Sequence, residues 1–368
     1  MLLGVRATSA SISMNKGFEH APKFINLKNV DKFSLRRQAK PTNSFDNFFS
    51  EVVKARPGPK KNRDQQYPRY IYCSPSLALM ERKSTTLGAE KQIKREKSNA
   101  VPPSAVNRQP STVKVLLDEA ALRYNTTDFI ESDPISIPHR FSGLQDREIM
   151  GFWAATLAWG QRKTIINNAS RLAELMDNAP FDFIRNHEEL DRKRFLDFKH
   201  RTFQAMDTLW FLEFLQQYYQ QHHSLETAFA RHLKLGDQTV ENALRGFHDD
   251  FFADPDAPTR TRKHVATPAR GSTCKRLNMF LRWMVRKDNT GVDFGLWTGI
   301  SPSQLLIPLD VHVERVARRM GLLQRKQTDW KSVLELTENL RAFDPNDPVK
   351  YDFALFGLGV LEKDLWRK

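Results

Sequence analysis

Apolar residues recur at helical spacing through the C-terminal two thirds of the chain, and strand-like alternation is scarce. Val115, Leu116, Leu117, Ala120, Ala121, Leu122 and Tyr124 predict a first amphipathic helix, with order beginning near Val113. Asp146-Arg147-Glu148 opens a strongly apolar helix through Ile149, Phe152, Trp153, Leu157 and Trp159, closed by Gly160, and its acidic first turn suits the helix dipole. Further helical patterns cover residues 164–176, 208–219, 224–231, 240–252, 330–340 and 349–361. Between the first two helices, Asp133-Pro134-Ile135-Ser136-Ile137-Pro138-His139-Arg140-Phe141 reads as an extended link, because its prolines bar an α-helix. The pattern predicts an all-α domain over residues 113–368.

Residues 1–112 show no sustained period and are punctuated by prolines. They carry 21 Lys and Arg against 8 Asp and Glu, so nearly all of the chain's net charge of +14 lies there. Such a segment buries too little apolar surface to offset its ordering entropy, which predicts a disordered basic extension. It would act either as an arm that attracts nucleic acid or as a dispensable extension. Its acid-free, serine-rich start leaves organelle targeting open. Two cysteines provide neither a disulfide framework, a cysteine zinc site nor a four-cysteine iron–sulfur cluster. No apolar run reaches membrane-spanning length. The expectation is a cytoplasmic, nucleoid-associated monomer with no membrane contact, no metal and no cofactor.

The chemistry concentrates between residues 257 and 319. From Ala257 to Lys287 there is no Asp or Glu, while Arg260, Arg262, Lys263, Arg270, Lys275, Arg276, Arg282, Arg286 and Lys287 all fall in that span. A small-residue turn, Pro268 to Thr273, in a hairpin near 268–277, leads into a helical pattern that starts near Lys275. A hairpin of this kind holds a phosphate backbone without reading sequence, through Arg270, Gly271, Ser272, Thr273 and Arg276. A lysine at a DNA-facing position can attack a sugar C1′ and form a Schiff base. Such an attack needs a carboxylate to handle protons and steady the sugar cation. Asp310, which ends a Gly/Pro loop over residues 291–310 and opens the next helix, is placed to supply it; His312 and Arg315 would take a flanking phosphate. Trp153, Trp159, Trp283 and Trp297 are candidates to sandwich a flipped base. Three alternatives stand beside this reading, one of them a structural partner protein that uses the terminal apolar stretch from Phe353 to Leu361. His222-His223 with His248-Asp249-Asp250 would make a metal phosphohydrolase, though no further spaced ligands support it. A DNA- or RNA-binding module without catalysis would need neither Lys275 nor Asp310.

The segment from Asp310 through His312, Arg315 and Val316 to Arg319 resembles the one that opens the helix after the Gly/Pro loop in helix-hairpin-helix (HhH-GPD) DNA glycosylases. Residues Ala269 to Lys275 resemble their hairpin, whose lysine marks the bifunctional glycosylase/lyase members. Residues 113–368 as a whole resemble an uncharacterised bacterial family of that superfamily, in the stretches 133–141, 157–162, 274–283 and 347–357. The resemblance implies a two-lobed helical fold with a DNA cleft between the lobes. It makes Lys275 the Schiff-base nucleophile and Asp310 the catalytic aspartate of a DNA repair glycosylase with β-elimination lyase activity. The Lys275-to-Asp310 interval is similar to that of archaeal 8-oxoguanine glycosylases, which points to an oxidised purine. The chain departs from the pattern at Thr273, where the second hairpin glycine usually stands. It also lacks the cysteines that mark the endonuclease III subgroup.

Overall fold

Twelve α-helices run through residues 109–362, the part of the chain that the computed structural model describes. They are α1 (Pro110–Tyr124), α2 (Asp128–Glu131), α3 (Leu144–Leu157), α4 (Arg162–Leu175), α5 (Pro180–Asn186) and α6 (Ala205–Gln221), followed by α7 (Glu226–Ala230), α8 (Glu241–Phe251), α9 (Lys275–Val285), α10 (Val311–Arg319), α11 (Trp330–Arg341) and α12 (Tyr351–Leu361). Among the described residues there is no strand, only an isolated bridge between His200 and Phe203. None of these helices is long and apolar enough to cross a membrane. The predicted basic extension lies outside the described residues but for its last four. Helix α1 begins three residues earlier than the apolar pattern suggested, because Pro110 at its first position presets a helical φ and leaves no N–H unpaired.

Helix α3 is the centre of one half of the packing. Every residue from Glu148 to Leu157 is buried, as expected of a helix apolar on all sides. Phe152 meets Phe211 of α6 at 5.2 Å, and Phe247 of α8 and Phe280 of α9 at 5.6 Å each. The one carboxylate in this run, Glu148, accepts from Tyr219 Oη, Ser224 Oγ, the Leu225 amide and Trp297 Nε1. Four donors satisfy a buried carboxylate that would otherwise carry a large desolvation cost.

Helix α12 is the second organising element, buried at eight positions and packed between α1 and α10. Two glycines set how close its neighbours come. A Cβ on Gly357 would lie 2.2 Å from the Tyr124 ring of α1, and one on Gly359 would lie 2.8 Å from the His312 carbonyl of α10. Tyr124 Oη donates to Glu362 and Tyr351 Oη to Asp118, fixing the register of α1 on α12.

Three local expectations are corrected. The stretch 133–141 is not extended: its prolines start two 3-10 turns, Pro134–Ser136 and Pro138–Arg140, where a missing amide hydrogen costs nothing. Helix α5 was not foreseen, since seven residues behind a proline carry too little periodic signal. The apolar helix of residues 146–160 ends at Leu157, so Trp159 lies beyond it.

Candidate active site

Two helix starts meet at the site. Before α9, Thr267 accepts from the Ala269 amide and caps the 3-10 turn Pro268–Arg270. Gly271 then takes a left-handed φ of 72°, a position where side chains are strained, and faces open space. Cys274 also turns left-handed, at a φ of 48°, and becomes the N-cap of α9 with its thiol buried and pushed up to about 12 by that burial. The Trp330 amide donates to the Gly271 carbonyl at 3.0 Å, tying this turn to α11. The expected pair of helices around a hairpin is therefore a 3-10 turn on one side and α9 on the other.

Lys275 is the first residue of α9, and Asp310 is the N-cap of α10. Asp310 Oδ1 accepts from the His312 and Val313 amides at 2.8 and 3.0 Å, which leaves Oδ2 free to face Lys275 Nζ at 3.3 Å. One carboxylate thus caps a helix and pairs with a lysine from another. The His312 ring sits on the same wall, with Nδ1 3.3 Å from the Gly359 carbonyl.

The pair opens onto a cavity of about 740 Å³. Lys275, Met279 and Arg282, spaced at i, i+4 and i+7, give it one face of α9. Phe353, Phe356 and Asp352 of α12, with Phe129, close the other side. Trp159, Arg162 and Asp133 complete the rim and floor. The Arg162 guanidinium lies over the Phe356 ring at 5.0 Å, and that of Arg201 over the Trp159 ring at 4.7 Å. The walls are mostly apolar and aromatic with several charged groups among them, as in sites that take a flat organic ligand.

Below the cavity lies a buried ion cluster. Arg282 Nε reaches Asp293 at 3.2 Å and its Nη1 pairs with Asp352; Arg286 contacts Asp293 at 3.2 Å, Asp288 at 2.6 Å and Asp347 at 2.9 Å. Burial pushes Asp352 up to about 6, against the pull of Arg282 and with the help of the Asp310 charge. Burial raises Asp133 as well, although its carboxylate accepts from the Ile135 amide. Arg282 stays raised despite its burial because Asp293 and Asp352 surround it.

Of the residues singled out from sequence, Lys275, Asp310, Ser272, Thr273, Arg276, His312 and Trp159 line the cavity; Arg270 and Gly271 are exposed beside it. Arg276 is not available to a phosphate. Its guanidinium donates to the Thr156 carbonyl at 2.6 Å and the Lys263 carbonyl at 3.1 Å, and burial lowers it to about 10. Arg315, half-buried on α10, does not line the cavity. Three of the four tryptophans are corrected: Trp153, Trp283 and Trp297 are buried in the core and cannot stack on a ligand. Helical apolar spacing places an aromatic in a core far more often than in a pocket, as for Trp153 and Trp283, and Trp297 reaches the core from the loop that follows α9. The metal reading also gives way: Asp250 pairs with Arg231 and His232 at 2.5 Å, and no group of three ligands converges among the described residues.

Sequence reasoning missed Asp133, Arg282 and Asp352. Two of them carried a signal, since a lone aspartate in an apolar helix and an arginine on the same helix face as Lys275 both need a partner or a polar cavity.

No curated protein and no solved structure matches the chain. A family match covers residues 133–361, from the aspartate on the cavity floor to the last residue of α12. That span holds every cavity residue named above except Phe129, and the chain belongs to this family, described as a protein of unknown function (DUF2400).

Proposed function

We propose that the protein is a DNA repair glycosylase with lyase activity, which removes a damaged, oxidised purine through a Schiff base on Lys275. The observation that carries this reading is the 3.3 Å approach of Lys275 Nζ to Asp310 Oδ2 on the wall of a deep, aromatic-lined cavity. Lysine is the residue that makes an imine with a sugar C1′, and a carboxylate at this range can steady the cationic sugar and take the lysine's proton as the new bond forms. The cavity has the character a flipped base requires: Phe353 and Phe356 offer flat apolar contacts, Met279 a further apolar one, and Asp352 and Asp133 offer polar groups to the edge of the base. The exposed turn at Arg270 and Gly271 beside it suits a phosphate backbone. In the finer reading, the helices around α3 and those around α12 are the two lobes of a helix-hairpin-helix glycosylase, with DNA lying across the cavity mouth.

Borohydride trapping of the full chain on duplexes carrying 8-oxoguanine or an abasic site tests the proposal. The expected result is a covalent protein–DNA band that is absent with Lys275→Ala. DNA binding without any band would instead favour a non-catalytic nucleic-acid module, and neither binding nor band would remove the reading altogether.

A further inference from the structure

Asp352 is not needed for the chemistry assigned to Lys275 and Asp310, yet it lines the same cavity. Its surroundings are unusual in their charge balance. Arg282 and Arg286 are the two guanidiniums of the buried cluster, and they contact four carboxylates: Asp288, Asp293, Asp347 and Asp352. Lys275, whose charge also reaches Asp352, already faces Asp310. Asp288 and Asp347 reach solvent at the edge of the group while Asp293 and Asp352 are enclosed with the guanidiniums; the group as a whole still has two more carboxylates than cations, an excess that a held proton relieves. Asp288 is not the holder, since burial acts against ionisation there but hydrogen bonds from Thr290 and Asn125 keep it well below the usual range. Of the other three, Asp352 alone lines the cavity.

Resting on the function proposed above, we infer that Asp352 is the general acid of base release, giving its proton to the departing base. In this step the bond from C1′ to the base nitrogen breaks and its electron pair goes to the base. The proton leaves the Asp352 carboxyl for a basic nitrogen or oxygen of that base, which departs neutral. Lys275 passes a proton to Asp310 and its amine forms the new bond to C1′. Asp352 is left as a carboxylate beside Arg282, whose charge stabilises it. The two carboxylates thus divide the work by environment, one capped and paired, the other buried and protonated. Asp352 has Arg282 and Lys275 of α9 facing it, Asp293 from the following loop, and Asp310 at the head of α10; Asp133 and His312 line the same cavity. From α1, Asp118 bonds the neighbouring Tyr351. Burial, the leading influence, holds Asp352 near 6, so a loss of the acid form on the alkaline side is the expected signature.

The test compares two single-turnover reactions of the full chain across pH 5 to 9. One is excision of 8-oxoguanine from a duplex; the other is trapping on a preformed abasic site, where no base has to leave. Excision should show an alkaline limb with a midpoint near 6, falling about tenfold per pH unit. Asp352→Asn should lose that limb and slow excision at pH 6 by about 10²-fold, the usual scale for a general acid. Its trapping on the abasic site should fall less than about threefold, well below the acid's own effect. Excision with no alkaline limb in the wild type, or equal losses in both reactions for the variant, would overturn the role of Asp352 while leaving Lys275 chemistry intact. Absence of trapping in the wild type would overturn the underlying function instead.

Discussion

Asp310 does two jobs with its two oxygens, and substitutions can separate them. Asparagine keeps an oxygen for the His312 and Val313 amides but loses the charge opposite Lys275. Asp310→Asn should therefore cost well under about 1 kcal/mol of stability while slowing base excision by about 10²–10³-fold. Asp310→Ala loses the cap as well and should cost about 0.5–2 kcal/mol in urea unfolding. Equal stability losses in the two variants would mean that the cap is not held as described. At this scale the sequence was informative where local rules apply: a lysine at a helix start and an aspartate at the next cap were both readable from turn residues. Asp352 was not, because its meaning depends on Arg282, some seventy positions away, and on the cavity between them.

At the scale of elements, periodicity revealed nearly every long helix, including α3, α6 and α11, because each buries a stripe several turns long. It failed where structure is shorter than that stripe, at α5 and at the proline-started 3-10 turns of residues 134–140. Nor does periodicity show which helices touch. The contact of α1 with α12 turns on a missing side chain, Gly357 against Tyr124, whose hydroxyl is anchored 2.6 Å from Glu362. Gly357→Ala would drive a Cβ into a ring that cannot easily withdraw, a cost of about 1–3 kcal/mol. In Tyr124→Ala the ring is gone, so the same Gly357→Ala change should cost much less there. A double-mutant cycle by denaturant unfolding measures this coupling, and strict additivity of the two changes would contradict the packing.

For the whole molecule, acidification sets opposing groups against one another. His187, His200 and His248 are held below the usual histidine range, by burial first, so as pH falls below about 6.5 the unfolded chain takes up protons that the fold resists, and stability falls. Asp118 and Asp207 are lowered despite burial, by hydrogen bonds from Lys114 and from His264, and their contributions are lost only as pH drops below the ordinary carboxylate value of 3.8. Asp352 acts in the reverse sense. Its folded value is raised to about 6 from 3.8, so the stability it contributes is fully present below 3.8 and is lost as pH rises through about 6. A shift of that size corresponds to at most about 3 kcal/mol. Because the histidines act in the same window, wild-type stability alone cannot isolate this contribution, but a difference can. Asp352→Asn resembles the protonated acid at every pH and leaves the histidines as they were. Measured by urea unfolding, the stability of wild type minus variant should rise in favour of the wild type by about 1 kcal/mol between pH 7 and pH 5. If that difference stays constant across the interval, Asp352 carries no proton that the unfolded chain lacks, and the charge excess beneath the cavity must be relieved at Asp293 or Asp347 instead.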